Sequence, residues 1–153
     1  METGNLIIDA QTAFARERRR HVRARAISWL RRRPRECRQL ARLDDALLGG
    51  SPVQRRSLGL HAIPLESIVG TAEAAKARVF DPRFRPPAGS RRRWERLWVA
   101  GRRGVPLPPI SVYKVGDRHF VNDGHHRVSV AQALGMAAID AEVTDLGPAR
   151  GSA

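Results

Sequence analysis

A single cysteine, Cys37, serves the whole 153-residue chain. No internal disulfide can form, and an incidental thiol lying among arginines is the expected reading. Lysine is almost as scarce, for Lys76 and Lys114 are the only two among 28 Lys plus Arg. Acidic residues number 15, which leaves a formal charge of +13 and an attraction to polyanions at low salt. The preference for arginine accompanies abundant Ala, Gly and Pro, a bias that a GC-rich genome also produces, so it is not by itself a sign of phosphate recognition. No run of about 18 apolar residues occurs, which excludes a hydrophobic spanning helix. The start METGNLIIDAQTAF lacks the basic end, apolar stretch and cleavage site of a secretory leader. A cytoplasmic protein with no membrane partner is therefore expected, and its length suits one domain of about 100 to 200 residues.

Three zones follow one another along the chain. From about Gln11 to Leu48 the pattern reads as one or two helices. Phe14, Val22, Ala26, Trp29 and Leu30 recur at helical spacing and predict a buried face. Pro34 suits the first turn of a second helix, with Leu40, Leu43 and Leu47 as its stripe. Gly49-Gly50-Ser51-Pro52 then reads as a linker. Arg18, Arg19, Arg20, Arg23, Arg31, Arg32 and Arg33 are the candidate contacts to DNA or RNA, against the alternative of a solvated charged face. The expected organisation is an Arg-rich helical extension over 1–52, a main domain over 53–147 and a tail over 148–153.

In the second zone Ala62 to Val69 reads as a strand or its approach, followed by a turn at Gly70-Thr71. A helix from about Ser90 to Ala100 places Trp94, Leu97 and Trp98 on one face, where core packing is favoured over base stacking. In the third zone, Ile110 to Val115 and Arg118 to Asn122 read as strands joined by the two-residue turn Gly116-Asp117. A helix over 126–134 and a strand from Ile139 to Thr144 complete an α+β architecture around a small mixed sheet.

The segment FVNDGHHRVSVAQALG, Phe120 to Gly135, is the one stretch whose order implies a chemical task. A strand that enters a helix through a glycine turn leaves the first helical N–H groups unpaired and directed at one place, where phosphate or carboxylate oxygens fit. Gly124 supplies the backbone freedom. Arg127, in the first turn, offers a planar fork suited to phosphate, with pairing to Asp123 or Asp140 as the structural alternative. His125 and His126 are adjacent and so diverge, unlike an i, i+4 pair of zinc ligands, but either can donate to phosphate. Asp123 has three readings: a carboxylate linked to Mg²⁺, a general base, or a turn-forming side chain.

Leu107 to Val143 resembles the core of the ParB N-terminal and sulfiredoxin-like superfamily, in which a strand, a G-x-x-R sequence, a helix and a strand bind nucleotide phosphates. Here the G-x-x-R is Gly124-His125-His126-Arg127. The resemblance extends back through AIPLESIVGTAEAAKARVFDP, where it implies that Arg78 offers a further basic group to a nucleotide or a neighbouring subunit, and that Thr71 lies in the same pocket. It implies NTP, either CTP or ATP, with Mg²⁺, and a homodimer as a possible assembly. Sulfiredoxin chemistry needs a cysteine where this chain has His125, so that activity is not expected. Bacterial partitioning proteins carry Gly-Glu-Arg-Arg and continue into a helix-turn-helix domain. The expectation is a ParB-like protein without that domain, binding a nucleotide and acting as a DNA-associated or regulatory module. A phosphotransferase or NTP hydrolase with Asp123 as catalytic base is the alternative, because the Asp-Gly-His order resembles superfamily kinases. Non-specific binding of DNA or RNA by the arginine-rich helices is the third.

Overall fold

The computed structural model describes residues 2–34, 37–47 and 53–148. Its first element is the 25-residue helix α1, Leu6–Leu30. Asn5 caps it by accepting a hydrogen bond from the Ile7 N–H at 3.0 Å. Its end is set by Arg32, which turns left-handed at φ 49°, followed by Pro34. The buried face of α1 comprises Asp9, Ala10, Ala13, Phe14, Glu17 and His21. Phe14 therefore behaves as expected, whereas Val22, Trp29 and Leu30 do not: they are 56, 72 and 80 % exposed. Helical spacing identifies a common face, and only a neighbouring element decides whether that face is covered. Here the covering element meets the amino-terminal half alone.

Beyond Pro34 the expected second helix does not form as one piece. Ala41–Arg42 is a short strand, β1, and Leu43–Ala46 a single helical turn, α2. Leu40 and Leu43 are both buried, but in different clusters. The linker Gly49-Gly50-Ser51-Pro52 lies outside the described residues. Strand β2, Val53–Pro64, opens the longest stretch of sheet, and only its last residues, from Ala62, fall within the predicted strand. A 3-10 turn, Leu65–Ser67, leads into β3, Ile68–Thr71, so Gly70-Thr71 is strand and not the predicted turn. The reason is close approach. A Cβ on Gly70 would lie 2.1 Å from the Ala41 carbonyl oxygen of β1, so only glycine lets these two backbones pair.

A short helix α3, Ala74–Ala77, and a 3-10 turn at Ala88–Ser90 precede helix α4, Arg91–Arg102. Strands β4, Ile110–Val115, and β5, Arg118–Asp123, form the expected hairpin, with Gly116 at φ 60° in its turn. Helix α5, His125–Ala133, and strand β6, Ala138–Pro148, complete the chain. Pro148 is thus the last strand residue, and 149–153 of the expected tail lie outside the described residues. Among the described residues six strands form one mixed sheet in the order β1-β3-β5-β4-β6-β2. The pairs β1–β3, β3–β5 and β4–β6 are parallel, while β4–β5 and β2–β6 are antiparallel. A bulge between Ser57 and Gly59 interrupts the last pairing.

Two layers lie on one face of this sheet. Val128 and Ala131 of α5 join Ile63, Ile110, Val112, Val121 and Val143 in the main core, which Phe80 and Phe84 complete. Val130, on the opposite side of α5, packs with Phe14, Trp94 and Trp98 of α1 and α4. Trp94 is fully buried, meets Phe14 edge-on at 5.6 Å and donates its indole N–H to Ser129 Oγ at 2.9 Å. Both α4 tryptophans are core residues, as their spacing predicts. Phe120, Leu43 and Leu146 form a smaller cluster on the other side of the sheet. Among the described residues no helix is long and apolar enough to cross a membrane.

Candidate functional site

β5 passes into α5 through one residue, Gly124, which adopts φ 107° and ψ 23° as the helix N-cap. Two constraints require glycine here. The left-handed backbone disfavours any Cβ, and a Cβ would lie 2.5 Å from Ile110 Cγ2, a fully buried side chain. A glycine N-cap has no side chain to offer the first-turn N–H groups, so these stay open toward whatever lies in front of the helix.

Arg127 turns its guanidinium across this junction. Nη1 donates to the carbonyls of Pro108 and Pro109, each at 2.7 Å, and Nη2 donates to Asp123 Oδ2 at 2.8 Å. The Arg127 side chain is largely covered and that of Asp123 is 76 % exposed. Arg127 therefore fastens the start of α5 to the segment before β4, the pairing with Asp123 that the sequence offered as its structural alternative. Asp123 remains open to solvent at the rim.

The two histidines separate as their adjacency predicts. His125 is buried at 4 % exposure, with Nε2 hydrogen-bonded to the Thr71 hydroxyl at 2.7 Å and its ring stacked near Phe80 at 5.8 Å. His126 is partly exposed and meets Phe80 edge-on at 5.2 Å. Burial, reinforced by the positive charge of Lys76, pushes each imidazole down to about 4. Both rings are neutral at pH 7, so each keeps one N–H donor and one acceptor.

In front of this junction lies a hollow of about 580 Å³, lined by Gly124 to Arg127, Asp123, Glu73, Lys76, Arg93, Arg96 and Leu97. Lys76 comes from α3, and Arg93 and Arg96 come from the solvent-facing side of α4. Cations thus outnumber the carboxylates Glu73 and Asp123 around the open end of a helix. Of the sequence candidates, Asp123, Gly124, His125, His126 and Arg127 come together here. Thr71 is not on the lining; it is buried beneath His125 and holds that ring. Arg78 lies on a different hollow. Besides Asp123, the carboxylate on this hollow is Glu73. Lys76, Arg93 and Arg96 escaped the sequence reading because they lie far from the motif along the chain. Arg93 and Arg96 stand three apart on a predicted helix, a visible sign of a shared face but not of what it meets.

The arrangement can hold an anion of several charges, with backbone N–H groups at one side and cationic side chains at the other. The exposed Asp123 carboxylate can take a proton or share a divalent cation with phosphate oxygens. No family model and no curated protein matches this chain. Among solved structures, the crystal structure of sulfiredoxin from Arabidopsis thaliana is similar at 23 % identity and a TM-score of 0.42, over 55 % of this chain and 82 % of that one.

Proposed function

We propose that the hollow at the start of α5 binds the phosphates of a nucleoside triphosphate, ATP or CTP, and that this nucleotide governs the protein's activity. The observation that carries this reading is the convergence of Lys76, Arg93 and Arg96 on the uncapped first turn of α5. A helix N-terminus favours a single anionic group, and three further cations suit a chain of phosphates. Arg127 contributes by holding the turn in shape, both of its terminal nitrogens being engaged there. Magnesium fits the lining, since it binds through one or two carboxylates together with the phosphates, and Asp123 and Glu73 are the carboxylates on the hollow. Bound there, it would neutralise phosphate charge.

The test is calorimetric titration of ATP, CTP, GTP and ADP, with and without Mg²⁺, into wild type and Arg93→Ala/Arg96→Ala. Both arginines are exposed, so the variant leaves the fold intact. Binding that weakens at least tenfold in the variant supports the reading; equal binding, or no binding by wild type, overturns it. Exposure of Asp123 at the rim favours phosphoryl transfer to a small acceptor as a second reading, with Asp123 taking the acceptor's proton. Nucleotide consumption that depends on an added acceptor and is lost in Asp123→Asn supports it. No acceptor-dependent turnover across amino acids and metabolites rules it out.

A further inference from the structure

The most strongly charged concavity is elsewhere. Arg25, Arg33, Arg38, Arg78, Arg83 and Arg85 line a hollow of about 500 Å³ between the end of α1, the turn at Cys37–Gln39 and the loop after α3. One carboxylate, Asp81, is among its described lining residues, and it is already engaged. Asp81 Oδ1 accepts the N–H groups of Arg83 and Arg85, each at 2.9 Å, and Oδ2 pairs with the Arg85 guanidinium at 3.1 Å. The remaining guanidinium charge meets no other carboxylate among the described lining residues. Nε of Arg38 is buried with no hydrogen-bond partner among the described residues.

Alongside lies a second hollow of about 560 Å³, which shares His21 and Arg25 with the first and has Trp29 on its wall. Trp29 stands one helical turn beyond Arg25 and is 72 % exposed. The docking that creates both hollows is specific: Arg18 donates to the Pro86 carbonyl at 3.0 Å, and His21 Nδ1 reaches the same oxygen at 3.2 Å. An open indole face beside clustered guanidinium groups is the combination that takes an unpaired base together with its phosphates.

We propose that these adjoining hollows form a binding site for single-stranded nucleic acid, with phosphates against the arginines and one base stacked on Trp29. A duplex keeps its base faces covered by their neighbours and cannot use the indole. Of the seven arginines that the sequence offered for nucleic acid, only Arg18 and Arg33 line these hollows; the others needed are Arg25, Arg38, Arg78, Arg83 and Arg85. The site shares no lining residue with the hollow at α5.

Fluorescence anisotropy of a labelled single-stranded oligonucleotide of about a dozen nucleotides, titrated with the full chain between about 50 and 200 mM salt, tests the proposal. Trp29→Ala should weaken binding about 5- to 150-fold, the range for one stacked base. Arg78→Ala/Arg83→Ala, at two exposed positions, should make the salt dependence shallower by about 0.7 in log–log slope for each phosphate that is no longer neutralised. Arg25→Ala, also exposed, serves as an independent second variant. Arg93→Ala/Arg96→Ala should leave oligonucleotide binding unchanged, which separates this site from the proposed nucleotide site. Absence of binding at the lowest salt overturns the proposal. So does Trp29→Ala binding within about twofold of wild type, or competition by duplex DNA or inorganic polyphosphate as effective, per phosphate, as that of the single strand, because each would reduce the site to plain charge attraction.

Discussion

At Gly124 the backbone is left-handed and a Cβ would intrude on Ile110. Gly124→Ala should therefore destabilise the protein by about 2–5 kcal/mol, combining the strain of a left-handed alanine with overpacking of a buried side chain. Urea unfolding checks it; a decrease below about 1 kcal/mol would mean that the turn relaxes. The histidines predict a pH dependence. An unfolded histidine takes up its proton near 6.5, whereas folded His125 and His126 do so near 4. Between those values the unfolded chain binds more protons, so the stabilisation is complete above pH 6.5 and is lost as the pH falls toward 4. For His125 the difference amounts to roughly 3 kcal/mol. His125→Gln should flatten this acid limb, followed as the urea midpoint across the interval; an unchanged limb would place the titration elsewhere. The Gly124 requirement was legible in sequence because a glycine between strand and helix has a local cause. Burial of His125 was not, since Thr71 and Phe80 reach it from distant parts of the chain.

Helix α1 shows how far element-level patterning reaches. Its amino-terminal half packs on α4 and its carboxy-terminal half presents Val22, Trp29 and Leu30 to solvent, although one helical pattern covers both. Phe14→Ala should cost about 3–5 kcal/mol, while Trp29→Ala should change stability by less than about 0.5 kcal/mol. Thermal and urea unfolding of the two variants distinguish a covered from an uncovered face; a comparable destabilisation in both would mean that the far half of α1 is packed. Helix α4 was legible because Trp94 and Trp98 repeat at its period and both are buried. The hairpin was legible because Gly116-Asp117 is a local turn signal. β2 was not: five exposed residues begin it, and what makes them strand is pairing with β6. β1 is similar, two exposed residues held by register with Gly70 and Thr71.

For the whole molecule, the two concave cationic surfaces predict linked stability. A nucleotide that binds the folded chain alone raises its stability by about 2.7 kcal/mol at 100 times its Kd. The unfolding temperature should rise with added nucleotide in wild type and fail to rise in Arg93→Ala/Arg96→Ala; an equal rise in both would place the ligand elsewhere. The charge of +13, the absence of a long apolar run, the α+β pattern and the strand, glycine turn and helix from Phe120 to Gly135 were determined by the sequence itself. Each depends on composition or on residues within one or two turns of each other. Tertiary structure decided which cations meet. Lys76, Arg93 and Arg96 reach the start of α5 only because α3 and α4 pack around it, and Arg78 joins Arg25 and Arg38 only because α1 docks on the Pro86 carbonyl. Charge and periodicity are properties of the chain, but the neighbours of an exposed side chain are set by long-range packing, and it is those neighbours that make a binding site.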